Sequence, residues 1–103
     1  MTESQFELSP ATEKNRPTVS AVGDIDLANV NEFQDLLAKA AATAPAITVD
    51  LSGVTYCDSA AVRALFSVAA MSQLTLVVAG RGPIKTLLSI SGLDRVVTVT
   101  TSD

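Results

Sequence analysis

Apolar and polar residues alternate in two short stretches near the amino terminus, and this pattern predicts a pair of strands. In QFELS, residues 5–9, Phe6 and Leu8 share one face, as expected for a half-buried strand. Residues 18–22 predict a second strand, and the polar segment EKNRP before it predicts a turn. Pro17 suits the start of a strand, where a missing N–H costs least. We expect the two strands to form an antiparallel hairpin.

Two longer stretches place apolar residues at helical spacing. The first spans 29–42, with Asn29 at a capping position and Glu32 three residues later, a pattern similar to a capping box. The second begins near Asp58 or Ser59, continues as AAVRALFSVAA and is apolar nearly all round. Because such a helix has almost no polar face to present to water, we expect it to be the most deeply buried helix.

The remaining segments complete an alternating order of strands and helices. A third helix is predicted over 84–91, with Gly92 positioned to end it. Three further strands are predicted, at 47–51, 74–79 and 96–100. After the first of these, Ser52-Gly53 predicts a turn. The second, LTLVVA, has no polar alternation and is expected to be a central strand, covered on both faces or by a helix.

The order ββαβαβαβ implies one α/β domain. Strands that alternate with helices favour a mixed, mainly parallel sheet, here with an antiparallel hairpin at the amino terminus and the helices packed against the sheet. The chain has 103 residues, which is close to the common size of a single domain. We expect one domain over 1–103, with fraying at 1–4 and 101–103.

Composition narrows the class of function without changing the fold. The chain has 7 basic and 11 acidic residues, a net charge of −4, and its basic residues are scattered. Nucleic acids and anionic membrane surfaces require clustered Lys and Arg, so neither is an expected partner. The sequence shows neither a bilayer-spanning apolar run nor the pattern of a secretory signal. A cytoplasmic protein is therefore expected.

The absence of histidine limits the chemistry available. The chain has no His and one Cys, which removes Ser-His-Asp and Cys-His activation of a nucleophile and the usual zinc ligand sets. Neither a GxxxxGK[ST] nor a GxGxxG phosphate-binding motif occurs. We therefore expect no enzymatic activity, no metal and no cofactor.

A carboxylate and a hydroxyl, Asp58-Ser59, lie between the strand ITVDL and the second helix. In α/β folds, loops after the carboxyl ends of parallel strands carry functional sites. One interpretation is capping, because Asp and Ser side chains accept the unpaired N–H groups of a helix start. The other is phosphorylation of Ser59, which adds about −1.5 to −2 charge at a place where a helix dipole tolerates it. The residues alone leave both open.

Other carboxylates and the single cysteine are expected near this join. Asp24 and Asp26 lie in one predicted loop, Asp50 ends a predicted strand, and Asp58 is close by. Together they suit either a Mg²⁺ site or, more simply, loop caps and partner contacts. Cys57 is expected to be a small buried apolar residue. Its alternative role is a redox sensor, for which a helix N-terminus would favour the thiolate and Asp58 would oppose it.

Three segments together resemble the STAS family of anti-sigma factor antagonists: GDIDLANVNEFQDLL, ITVDLSGVTYCDSAAVRALF and LTLVVAGRGPIKTLLSISGLDRVVTV. They occur in the family's order and spacing and cover most of the chain. The stretch VDLSGVTYCDSAAVRAL is the most diagnostic part. The family usually has Gly two residues after the serine of the Asp-Ser motif, where this chain has Ala61.

The resemblance implies a partner-switching regulator. Such proteins bind an anti-sigma factor, often a serine kinase with a histidine-kinase-like ATPase fold, and thereby release a sigma factor. The kinase phosphorylates the serine after the Asp, here Ser59, and a PP2C-type phosphatase reverses this. Asp26 matches the aspartate of the family's G-x-x-D loop. The surface expected to contact the partner comprises Asp24, Asp26, Asp58, Ser59, Ala60, Ala61 and Val62.

Two alternatives stay open from the sequence. One keeps the fold and makes the domain a constitutive scaffold or a module that senses a ligand or redox state, with Ser59 only a cap. The other is an enzyme with Ser59 as its nucleophile, for which the chain lacks a histidine base.

Overall fold

In the computed structural model, which describes residues 5–102, the predicted hairpin and the alternating strands form one five-stranded sheet. The elements in chain order are β1 (Phe6–Ser9), β2 (Thr18–Ile25), α1 (Val30–Thr43), β3 (Ala46–Cys57), α2 (Ser59–Ala69), β4 (Gln73–Val78), α3 (Pro83–Ser91), a 3₁₀ turn (Leu93–Arg95) and β5 (Thr98–Thr101). The residues expected to fray at 1–4 and at 103 lie outside the described part of the chain.

The strands lie in the sheet in their sequence order, from β1 to β5. β1 pairs antiparallel with β2, and every later pair is parallel, which confirms the mixed, mainly parallel sheet. Crossovers between parallel strands are right-handed. Because all three crossovers advance in the same direction across the sheet, the three helices lie on the same face.

That covered face contains the core. Val49 of β3, Leu76 of β4 and Phe33 of α1 are fully buried, and the ring of Phe33 lies 5.3 Å from the ring of Phe6 in β1. As predicted, α2 is the most buried helix, with Ala61, Val62, Ala64, Leu65 and Val68 all buried. β4 is covered by helices on one face only, because Thr75 and Val77 on its other face are partly exposed.

β3 is longer than predicted, and the expected turn at Ser52-Gly53 is wrong. Instead the strand continues to Cys57, and β2 stays paired with it through register shifts at Ser20/Val22 and Gly23/Asp24. Such irregularities absorb an extra residue without ending a strand. A Cβ added at Gly53 would lie 2.8 Å from Cγ1 of Val22, so a larger residue here would have to displace that exposed side chain.

The end of the chain also differs in detail from the prediction. Gly92 ends α3 in the left-handed conformation, as expected, with φ 82°. The buried Leu93 then opens a 3₁₀ turn, so the last strand begins at Thr98 rather than at residue 96. Thr101 ends β5, and the Ser102 amide donates to the carbonyl of Val78 at 3.0 Å.

Candidate functional site

The carboxyl ends of β2 and β3 lie side by side at one edge of the sheet, and Asp58 connects them. The register pairs Ile25 with Cys57, and the Asp58 amide donates to the Ile25 carbonyl at 3.1 Å. Asp58 is in an extended conformation, and the next residue, Ser59, begins α2. The strand pairing therefore places the start of α2 against the loop that follows β2.

The carboxylate of Asp58 fixes this arrangement with both oxygens. Oδ1 accepts from the amides of Ala60 at 2.9 Å and Ala61 at 3.2 Å, which caps α2. Oδ2 accepts from the amide of Leu27 at 3.1 Å, which ties the helix start to the β2–α1 loop. Asp58, rather than Ser59, therefore caps α2.

Ser59 is the first helical residue and its side chain is exposed. Within residues 5–102 its hydroxyl has no hydrogen-bond partner. Two nearby hydroxyls differ in this respect, because Ser52 donates to Asp50 at 2.6 Å and Thr55 donates to Asp24 at 2.8 Å. At this helix start, the accessible and unbonded hydroxyl is therefore that of Ser59.

The loop after β2 is folded by its own side chains. Oδ1 of Asp26 accepts from the Ala28 amide at 3.0 Å, and the Asp26 amide donates to Oδ1 of Asn29 at 3.0 Å. Nδ2 of Asn29 donates to the carbonyl of Asp24 at 2.9 Å and to Oε1 of Gln5 at 3.2 Å. The capping box predicted for α1 is therefore wrong, because Asn29 directs its side chain back into the loop and makes no cap bond.

The structure brings Asp24, Asp26 and Asp58 to the same edge but does not join them into a metal site. Asp24 lies in β2 rather than in the predicted loop. Asp50 lies within β3 rather than at a strand end, and accepts from the amide of Ser52 at 2.9 Å. Among the described residues, no group of three or more acidic, Cys or His side chains is placed to hold a metal ion.

The residues after Ser59 divide between surface and core. Ala60 is partly exposed, whereas Ala61 is 0% and Val62 is 9% exposed. The contact of a partner with Ala61 and Val62 stays a prediction, and both side chains are largely covered by the domain itself. The methyl group of Ala61 adds bulk to the core and none to the surface.

Cys57 is also buried, and its burial favours one of its two interpretations. Burial raises the pKa of its thiol to about 11, and the neighbouring charge of Asp58 acts in the same direction. Since the thiolate is the reactive form, a raised pKa makes the thiol inert at neutral pH. The geometry favours the structural interpretation over a redox sensor.

Three large apolar side chains near the join were missed by the sequence analysis. Leu27 is 77%, Tyr56 53% and Ile90 79% exposed; we call them the apolar rim. Tyr56 and Ile90 line an apolar groove of about 260 Å³ between the end of β3 and α3. Leu27 could have been noticed in the sequence, because it is a large apolar residue within a polar loop.

The family of the chain follows from a match to a sequence model. The sequence model of the family described as Mlab, STAS domain, matches residues 8–99. The chain therefore belongs to the STAS-domain family, which confirms the resemblance found in the sequence. No curated protein matches it in sequence. Across residues 5–102, none of the helices has the length and apolar character needed to cross a membrane.

Solved structures confirm the fold. An anti-sigma factor antagonist from Mycobacterium paratuberculosis is similar over 91% of this chain and 84% of its own, with 19% identity and a TM-score of 0.78. The anti-sigma factor antagonist SpoIIAA in its unphosphorylated form is similar over 95% of this chain and 89% of its own, with 14% identity and a TM-score of 0.68. The phosphorylated form of SpoIIAA from Bacillus is similar over 95% and 91%, with 16% identity and a TM-score of 0.68.

Proposed function

We propose that this protein is a cytoplasmic, non-enzymatic anti-sigma factor antagonist whose binding is switched off by phosphorylation of Ser59. The observation that carries the proposal is the state of the Ser59 hydroxyl, which is exposed and has no hydrogen bond within residues 5–102, at a helix start that Asp58 already caps. A kinase can modify this hydroxyl without breaking any bond that holds the fold.

The helix start can accept the resulting charge. A phosphoserine carries about −1.5 to −2 charge at neutral pH, and the amino end of a helix stabilises an anion by about 0.3–1 kcal/mol at an exposed position. The carboxylate of Asp58 opposes this, because like charges repel. We expect the two effects to offset each other, so that modification changes the surface and leaves the fold intact.

The surroundings of Ser59 support a partner-binding surface. Leu27 is tied directly to Asp58 and is largely exposed, and Tyr56 precedes the join by two residues. Exposed aromatic and aliphatic side chains are typical of protein contact sites. A partner that covers this apolar rim also removes water from Ser59, where a small neutral hydroxyl is tolerated and a phosphate is not.

The proposed partner is an anti-sigma factor that is itself a serine kinase with a histidine-kinase-like ATPase fold. Binding of the unmodified chain releases the sigma factor, phosphorylation of Ser59 ends binding, and a PP2C-type phosphatase restores it. Support comes from membership of the STAS family and from similarity to structures described as anti-sigma factor antagonists, one of them in both phosphorylated and unphosphorylated forms.

One feature favours a second candidate, a constitutive or ligand-sensing STAS module without phosphorylation. The apolar groove between Tyr56 and Ile90 has about 260 Å³ of space, somewhat below the usual size of a small-molecule site. In that case the apolar rim binds a ligand or a permanent partner, and Ser59 stays unmodified.

A binding experiment separates the two. Each serine kinase of the anti-sigma type encoded in the same genome is mixed with the protein, and complex formation is measured by calorimetry with ADP and again after incubation with ATP. The proposal predicts a complex in ADP that is lost as the protein becomes phosphorylated. Binding that persists after complete phosphorylation would favour the constitutive module, and absence of binding to every kinase would reject the proposed partner.

A further inference from the structure

A groove lies at the opposite edge of the sheet from Ser59. It has a volume of about 490 Å³ and is formed where β4 and β5 begin, next to the 3₁₀ turn and the segment before β2. The side chains that matter most there are Arg16, Thr75, Arg95 and Thr98. Because β3, β4 and β5 are parallel, their amino ends lie a full strand length from the helix start at Ser59.

A row of hydroxyls crosses the uncovered face of the sheet and ends in this groove. The register pairs each hydroxyl residue with the next, one per strand: Ser9, Thr18, Thr48, Thr75 and Thr98. Thr75 alternates with the buried Leu74 and Leu76, which places it on the face away from the helices. The groove therefore has neutral hydrogen-bond donors along its floor.

Two arginines, Arg16 and Arg95, line the same space. Nη1 of Arg16 donates to Oγ1 of Thr75 at 3.3 Å, a bond that carries the side chain across the open face of the sheet. A guanidinium has five N–H donors, and this bond uses one of them. Within residues 5–102 neither Arg16 nor Arg95 forms an ion pair.

The groove is basic, whereas the chain as a whole is acidic. The whole sequence has four more acidic than basic residues, a net charge of −4, yet no Asp or Glu is among the described residues that line the groove. Arginine side chains without a carboxylate partner favour the binding of oxyanions, since their fork geometry matches phosphate oxygens.

We propose that this groove binds a small organic phosphate carrying more than one negative charge. Arg16 and Arg95 each take phosphoryl oxygens, and the hydroxyls of Thr75 and Thr98 supply further hydrogen bonds. The size of the groove is that of a small-molecule site. A nucleic acid is disfavoured, because two arginines on an acidic chain are too few to hold a phosphate backbone. The site is independent of the proposed switch at Ser59.

Pyrophosphate is a suitable probe, and the test is a titration at constant ionic strength followed by amide NMR. The proposal predicts saturable shifts of the Thr75, Arg95 and Thr98 amides. Arg16→Gln and Arg95→Gln should each raise the dissociation constant about tenfold or more, as expected for loss of a charge-assisted hydrogen bond. Thr75→Val, which removes the acceptor that positions Arg16 without altering charge, should also weaken binding.

Arg81→Gln is the matched control, because Arg81 is exposed, carries the same charge and lies in the loop after β4 at the other edge of the sheet. It should change the affinity less than about twofold, since the charges are screened over that distance. The proposal is overturned if pyrophosphate gives no saturable shift, if the shifts occur at the start of α2, or if Arg81→Gln weakens binding as much as the groove variants. The amide spectrum itself reports whether each variant is folded.

Discussion

The helices α2 and α3 both begin at the carboxyl edge of the sheet, but their starts are held very differently. Asp58 caps α2 through two backbone amides and joins it to the β2–α1 loop through a third. α3 follows Gly82, which has φ 112° and no side-chain cap bond, and Pro83 fills its first turn without an N–H. α2 thus presents an exposed hydroxyl on a start that is fixed by another residue, whereas α3 presents neither feature.

This difference shows why a helix start alone does not define a switch. The dipole of either helix could favour an added anion. At α2, however, the proposed site of modification, Ser59, and the group that caps, Asp58, are separate side chains. In the proposed switch, phosphorylation of Ser59 would leave Asp58 in place, and the apolar rim would turn a local change in charge into a change in binding.

The largest expected effect is on stability, from removing the cap of α2. Asp58→Ala loses three side-chain hydrogen bonds and should lower the free energy of unfolding by about 2 kcal/mol, at the upper end of measured cap losses. Pro83→Ala at the start of α3 is the control and should cost less than about 1 kcal/mol. Urea unfolding measures both, and equal losses would remove the distinction between the two helix starts.

A negative charge at Ser59 should act on binding rather than on folding. Ser59→Asp is expected to weaken binding to the anti-sigma partner at least tenfold, about 1.4 kcal/mol, because a charge enters an interface suited to a neutral group. The melting temperature should hardly change. Ser9→Asp, an exposed serine at the opposite edge of the sheet, is the matched control and should bind normally. An unfolded Ser59→Asp variant would mean that the hydroxyl is part of the packing.

Cys57, which precedes α2, should make the stability of the protein depend on pH in the alkaline range. Its thiol has a pKa raised from 9.0 to about 11 in the folded protein, so the unfolded chain loses this proton first and stability falls as the pH rises between these values. The contribution lost from pH 8 to pH 10 is about 1 kcal/mol.

Unfolding of the protein and of Cys57→Ala, measured at both pH values, isolates this contribution. Between these two pH values the free energy of unfolding of Cys57→Ala should fall by about 1 kcal/mol less than that of the unmodified protein. Asp58→Asn should also make the loss of stability between the two pH values smaller, since the charge of Asp58 contributes to the raised pKa of Cys57. Identical pH profiles for the protein and Cys57→Ala would contradict the burial described for the thiol.

The smallest expected effect is that of Ser59→Ala. The hydroxyl has no hydrogen bond within the described residues and Asp58 is the cap, so the free energy of unfolding should change by less than about 0.5 kcal/mol. Binding to the partner should be retained while phosphorylation is lost. A folded Ser59→Ala protein that no longer binds would show that the hydroxyl is itself a contact, and would reject the switch.

Local patterns predicted the order of elements, the mixed sheet, the burial of α2 and the helix end at Gly92. They failed where a distant contact decides the conformation. Ser52-Gly53 has the composition of a turn, but pairing with β2 carries the strand through it. Asn29 has the position of a cap, but hydrogen bonds to Asp24 and Gln5 draw its side chain away.

At the candidate site, too, local patterns failed where distant contacts decide the structure. A cap at Asp58 or Ser59 could be predicted because capping depends on neighbours in the sequence, whereas phosphorylation of Ser59 stays a prediction. Which of the two caps, and which side chains surround them, depends on contacts between Asp58 and Leu27 and between β3 and α3. The burial of Ala61 and Val62 likewise follows from the orientation of α2 on the sheet, which no local pattern specifies.

The central claim is that Ser59 is the hydroxyl that a partner kinase modifies, and mapping the phosphate tests it most directly. The protein is incubated with ATP and the anti-sigma kinase it binds, and the product is analysed by intact mass and peptide sequencing. The structure predicts one phosphate per chain, on Ser59, because the hydroxyls of Ser52 and Thr55 are already bonded to Asp50 and Asp24. Phosphate on Ser52, Thr55 or Ser67, or a kinase that binds the protein and leaves it unmodified, would contradict the account.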